Sequence, residues 1–238
     1  MKILAVSDEQ SLSLETILVK KPGKYGDIDL IVSCGDLEKE YLEYIVDTLK
    51  KDFFFIRGNH LLESLGEFDG PEAPKVFQKA SVKYVAGFAD LHGRVEAFDD
   101  YIFTGFGGSM WYNGEYNQYT EERMSKVVKA VIRQIGWLQL RDKLLRRQRR
   151  EVIVLSHAPI AGIHDQPDKT HRGFKCFKSF IDKVSPLLWL HGHIHLQNQY
   201  TNQVSKTGET TVVNVFGCKM LDINRKKIEV LAHCFKDI

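Results

Sequence analysis

Apolar residues fall into two patterns along this chain. Short runs without alternation recur at 2–6 (KILAV), 29–34 (DLIVSC), 53–56 (FFFI), 152–155 (VIVL) and 187–190 (LLWL). Such runs predict strands buried on both faces, as in a sheet covered by helices. Between several of them the period becomes helical. Leu42, Ile45, Val46 and Leu49 form an i, i+3, i+4, i+7 stripe, and Met124, Val127, Val128, Val131, Ile135, Leu138 and Leu145 carry similar spacing through 120–149. Thr120 before Glu121 and Glu122 predicts an N-cap with acid in the first turn. Gly136 marks a point where that stretch would split into two helices. After Gly192 the runs TTVVNV (210–215), KMLDI (219–223) and KIEVLAH (227–233) read as antiparallel strands joined by turns, as do residues 82–106. Strands alternating with helices predict an α/β fold. No linker, repeat or low-complexity segment interrupts it, so residues 1–238 read as a single domain.

Composition narrows the class. With 43% hydrophobic and 27% charged residues the chain is neither a disordered tail nor a collagen-like fibre. Lys and Arg total 33 against 31 Asp and Glu, and a net charge of +2 is no nucleic-acid footprint. No segment approaches the roughly 18 apolar residues of a membrane span. Met1-Lys2 followed by Ile3–Val6 is too short for a signal peptide. Cys34, Cys176, Cys218 and Cys234 lie far apart without a CxxC, which predicts free thiols in a reducing compartment. These features predict a cytoplasmic protein.

The endings of the buried runs carry the chemistry. ILAV runs into Ser7-Asp8, LIVSC into Gly35-Asp36, and FFFI into Arg57-Gly58-Asn59-His60. VIVL runs into Ser156-His157, and LLWL into His191-Gly192-His193-Ile194-His195. In an open α/β sheet ligands bind outside the carboxyl ends of the strands, so these endings should meet at one edge. A lone Asp after a strand is usually a turn residue or helix cap. Endings of this kind on five separate strands make that bland reading improbable. Carboxylate, amide and imidazole donors suit manganese, iron or zinc. The set Asp8, Gln10, Asp36, Asn59, His60, His157, His193 and His195 is too large for one ion. Two ions sharing a carboxylate use it economically, lower the pKa of a shared water and clamp a phosphoryl group.

In this order, Asp8-x-Gln10, Gly35-Asp36, Gly58-Asn59-His60, Ser156-His157 and Gly192-His193-x-His195 resemble the motifs of the calcineurin-like metallophosphoesterases, from residue 1 to about 220. The likeness is to small single-domain prokaryotic members. It implies a four-layer αββα sandwich of two mixed sheets with a dinuclear metal site at the carboxyl ends of the strands. One divalent ion would take Asp8, Gln10, Asp36 and His195; the other would take Asp36, Asn59, His157 and His193. Manganese is favoured over iron or zinc. The implied activity is hydrolysis of a phosphate mono- or diester, small-molecule in kind, by a metal-bridging hydroxide. His60 would assist the leaving group rather than bind metal. Two positions depart from the family pattern. Gln10 stands where a histidine is usual, and an amide oxygen is the weaker ligand. Leu61 follows His60 where an acid is usual. The alternative reading is a binding scaffold that keeps the fold with little or no turnover.

The segment 158–182 starts after one ligand strand and ends before another, so it should overhang the site. His171 reads there as a substrate-pocket residue, against the alternative of an exposed loop histidine. Arg172 is a further pocket candidate for a phosphate, against a solvated position. The stretch 104–119 combines glycines with Trp111, Tyr112, Tyr116 and Tyr119. It reads slightly more as aromatics closing the core edge than as a pocket wall. The basic run 141–150 reads as a solvated helix face. His191 is a candidate support for the neighbouring ligands, while His92 and His233 read as ordinary surface or strand residues. No dedicated nucleic-acid domain is present.

Overall fold

The structure is a computed structural model, and it describes residues 1–21, 23–60, 84–198, 201–224 and 227–231. In chain order the elements are β1 (Lys2–Ser7), α1 (Leu12–Lys20), β2 (Leu30–Ser33), α2 (Lys39–Leu49), β3 (Asp52–Phe55), β4 (Tyr84–Val85) and β5 (Phe88–Ala89). There follow β6 (Val95–Phe98), β7 (Tyr101–Phe106), β8 (Ser109–Met110), β9 (Gln118–Tyr119), α3 (Glu121–Leu144), β10 (Glu151–Ser156) and α4 (Lys175–Val184). The last strands are β11 (Leu188–His191), β12 (Gln203–Thr207), β13 (Thr210–Asn214), β14 (Gly217–Asn224) and β15 (Lys227–Leu231).

Two mixed sheets form, ordered β15-β14-β1-β2-β3 and β12-β13-β11-β10-β7-β6. Strands β1, β2 and β3 are mutually parallel, as are β7, β10, β11 and β13. The β14, β15, β12 and β6 pairings are antiparallel. Alternation along each buried run explains the layering, because successive side chains point to opposite faces. In β1, Leu4 and Val6 join the core under α1 and α2 with Leu14, Ile17, Leu42, Ile45 and Phe53. Ile3 and Ala5 of the same strand face Phe103, Ile153, Leu155, Leu188 and Leu190 of the other sheet. Val152, Val154 and Trp189 then face Met124, Val128, Val131, Phe177 and Phe180 of α3 and α4. The result is helix, sheet, sheet, helix. Each such apolar side chain contributes about 1.5–3 kcal/mol when fully buried.

Differences from the sequence reading have local causes. Helix α3 is continuous through Gly136, where an added Cβ would meet no atom within 4 Å. Its inward stripe, Met124, Val128, Val131 and Ile135, continues from turn to turn, so the weak residue is carried by packing. Thr120 caps that helix, its hydroxyl accepting from the Arg123 N–H at 3.3 Å. Helix α1 is an element the run-by-run reading does not predict, and Leu12 and Val19 on its outer side blur the stripe. Among the described residues no helix is long and apolar enough to cross a membrane.

Candidate metal centre

The parallel strands deliver the motif residues to one edge. Asp8 follows β1, Asp36 follows β2, Asn59 and His60 follow β3, His157 follows β10 and His193 follows β11. Asp8, Asp36 and His193 all take left-handed backbone, with φ of 65°, 54° and 66°. That conformation costs a non-glycine residue about 1–2 kcal/mol, and it turns each chain sharply as the strand ends. The glycines allow the turns to close on one another. A Cβ on Gly58 would lie 1.8 Å from Asp36 Oδ1, and one on Gly192 would lie 2.1 Å from Ser7 Oγ and 2.5 Å from Asp8 Oδ2.

Ring nitrogens fix their tautomers through backbone carbonyls. His157 Nδ1 lies 2.9 Å from the Cys34 carbonyl, and His193 Nε2 lies 2.8 Å from the Thr170 carbonyl. A carbonyl only accepts, so these nitrogens carry protons, and in the neutral rings the opposite ones offer lone pairs. His157 Nε2 then lies 2.9 Å from Asn59 Oδ1, 3.0 Å from Asp36 Oδ2 and 3.1 Å from His193 Nδ1. Four acceptor atoms from four strands thus converge. The ligand atoms of Asp36, His157 and His193 all lie within 4.8 Å of one another, as a metal site requires.

The electrostatics ask for a cation at this point. Asp8 is buried, and its ionic partners are His157 at 4.0 Å and His195 at 3.8 Å. Burial raises the Asp8 carboxyl above its usual range, against the pull of His157. Burial also presses on Asp36, but the charge and hydrogen bond of His157 hold that carboxyl low. Burial opposes a charge on His157 as well, yet Asp36 and then Asp8 push its pKa up to about 9. His193, buried beside His157, is pushed down to about 3. The buried carboxylates of Asp36 and Asp8 thus favour positive charge at His157 Nε2, where a proton and a divalent ion would compete for the same lone pair. The donor set fits such an ion.

The other motif residues are held less closely. His195 is two-thirds exposed, with its ring 5.1 Å from that of Phe216. Gln10 is exposed, and no contact among the described residues joins it to the carboxylates. Among the described residues, the second set of donors is thus an open arrangement. His60 anchors its backbone N–H on Asp36 Oδ1 at 3.0 Å, while its side chain is exposed with Nε2 4.0 Å from Asp36 Oδ2. Leu61 and His233 lie outside the described residues.

The overhanging segment supplies His171. Its Nδ1 lies 3.1 Å from both oxygens of Asp168, and its ring centre is 5.5 Å from that of His193. Arg172 is exposed, and no contact among the described residues brings it to the cluster. The sequence reading missed several groups. Tyr112 reaches Asn59, with its hydroxyl 3.3 Å from Nδ2, while Trp111 and Tyr116 are exposed; of the aromatics in that loop, Tyr119 packs against the core. His92 sits on a β-bridge to Gly105, half-buried and held by two contacts: its Nδ1 accepts from Gly107 N–H at 2.9 Å and its ring stacks on Tyr119. His191 donates from Nδ1 to the Gly192 carbonyl and receives His164 Nδ1–H at 2.8 Å. His164 Nε2 in turn accepts from Ser205 Oγ. The adjacency of His191 to the GHxH motif was the only signal of that chain available in the sequence.

Comparison with known proteins gives the same architecture. The sequence model of the calcineurin-like phosphoesterase family matches residues 1–197. The fold is similar to that of TT1561 of Thermus thermophilus, at TM-score 0.59 and 17% identity over 96% of this chain and 97% of that one. It is also similar to GAP50, the anchor in the inner membrane complex of Plasmodium, at TM-score 0.52 and 10% identity over 97% and 83%. At these identities the likeness is one of fold. No curated protein matches the chain.

Proposed function

The chain belongs to the calcineurin-like phosphoesterase family, and from that premise we propose that it is a metal-dependent hydrolase of a small phosphate mono- or diester. The observation that carries this reading is the convergence of His157 Nε2, His193 Nδ1, Asn59 Oδ1 and Asp36 Oδ2. Those four residues would hold one divalent ion, manganese by preference. Asp8, Gln10, His195 and a shared Asp36 would hold a second. Bound divalent ions supply Lewis acidity, polarising a phosphoryl oxygen and making hydroxide available near neutral pH.

The chain's own groups do the rest. The Cys34 and Thr170 carbonyls keep the two imidazoles turned with their lone pairs inward. His60, anchored by its backbone and free in its side chain, protonates the leaving oxygen. Asp168 orients His171 so that its Nε2 is left for a phosphoryl oxygen of the substrate, and Arg172, exposed on the same loop, would meet that anion only as substrate binds. The free, buried thiols of Cys34 and Cys176 support a cytoplasmic setting.

Metal content after purification, followed by hydrolysis of an aryl phosphate monoester and diester with manganese added, tests the proposal. Metal uptake with hydrolysis of either ester is expected. Metal uptake without turnover would favour the scaffold reading.

A further inference from the structure

Asn59 is held from outside the motifs. We propose that Tyr112 is a positioning residue of the metal centre, its phenol holding the Asn59 amide with Oδ1 toward the ion site. The inference rests on the metal-centre reading above.

The loop that carries Tyr112 is tied at both ends. The Gly108 N–H donates to the Arg57 carbonyl at 2.8 Å, two residues before Asn59. Gly108 has φ of 78°, and a Cβ there would lie 1.9 Å from the Asn117 carbonyl oxygen, so no other residue fits. Ser109 N–H donates to the Asn117 carbonyl, and Trp111 N–H to the Tyr119 carbonyl. Inside the loop stands the buried side chain of Gln118. Its Oε1 accepts from the backbone N–H groups of Tyr112, Asn113 and Gly114 at 3.0, 3.2 and 3.2 Å. Its Nε2 donates to Asn113 Oδ1. One buried amide thus fixes the turn, and the turn places the Tyr112 hydroxyl 3.3 Å from Asn59 Nδ2.

An asparagine amide has a donor end and an acceptor end. With Nδ2 donating to Tyr112, Oδ1 lies 2.9 Å from His157 Nε2, among the converging lone pairs. The reversed amide would present N–H groups there and offer no ligand to a cation. Tyr112 and an ion therefore favour the same orientation. In that orientation the phenol oxygen accepts, and its own proton is left for another acceptor.

Calorimetric titration of metal-free protein with manganese tests this in wild type, Tyr112→Phe, Asn59→Ala and the double variant. Tyr112→Phe should weaken the tighter binding event about 10-fold, at the lower end of the 10–100-fold typical of groups that orient metal ligands. The thermal midpoint of the metal-free variant should stay at the wild-type value. Because Tyr112 acts through Asn59, the double variant should bind no more weakly than Asn59→Ala alone. Gln118→Ala, which frees the turn, should weaken the same event. Wild-type affinity in Tyr112→Phe, or a further loss in the Asn59→Ala background, would overturn the inference while leaving the metal centre standing. No manganese uptake by wild type would overturn both.

Discussion

His157 and His193 have their far ring nitrogens engaged by backbone carbonyls, and Asn59 is gripped at its Nδ2, so these side chains need no rearrangement to present their ligand atoms. Gln10 and His195 lie exposed past the ends of β1 and β11, and of the residues unique to their set only the Asp8 side chain is buried. Both halves use the same residue chemistry on neighbouring strands. They differ in where the ordering entropy is met. In the first half, folding itself fixes the side chains; in the second, binding must fix them. The proposed ions should therefore bind in sequence, the Asn59, His157 and His193 half first.

The most damaging way to break the comparison is to remove the residue both halves share. Asp36→Asn should lower occupancy of both ions and cost more turnover than the roughly 10–100-fold lost with a ligand's supporting group. Elemental analysis of purified protein, with hydrolysis in added manganese, measures both. Loss of only one ion would assign Asp36 to a single half.

His60 separates chemistry from binding. His60→Gln should retain both metals while turnover falls by about 10²–10⁴-fold, the usual contribution of a positioned proton donor. The deficit should grow for substrates with poor leaving groups. A metal missing from this variant would make His60 a ligand.

Gly192 reaches the open half through packing. In Gly192→Ala the new methyl would lie 2.5 Å from Asp8 Oδ2 and 2.1 Å from Ser7 Oγ. The expected stability loss, read by urea unfolding, is about 1–3 kcal/mol, as for other overpacked sites. The weaker manganese event should suffer more than the tighter one, because Asp8 belongs to the open half.

Legibility in the sequence follows the same division. Runs such as VIVL and LLWL marked the strands and their ends, since burial on both faces leaves little choice of composition. The edge where those ends meet was therefore predictable. The tautomers of His157 and His193 were not, because the carbonyls of Cys34 and Thr170 come from distant segments and belong to every residue type alike. Tyr112 was equally hidden. It lies 53 residues from Asn59 in sequence and owes its place to one buried glutamine. Helix α1 escaped because exposed Leu12 and Val19 stand beside buried Leu14 and Leu18, leaving no clean polar face.

The smallest expected effect lies at Gln10, where the comparison can be sharpened without being broken. An amide oxygen donates more weakly than imidazole to manganese, iron or zinc. Exposure of the side chain adds an ordering cost, since glutamine must give up rotamer freedom to bind. Gln10→His should tighten the weaker manganese event and leave the tighter one unchanged, with basal hydrolysis rising at limiting metal. Gln10→Ala should weaken the same event modestly, because water can take the vacated position. Calorimetric titration of all three forms decides the point. Equal, tight binding of both ions by wild type, unmoved by either substitution, would remove Gln10 from the ligand set. The open half would then rest on Asp8, Asp36 and His195 with solvent, and the contrast in burial would not be a contrast in affinity.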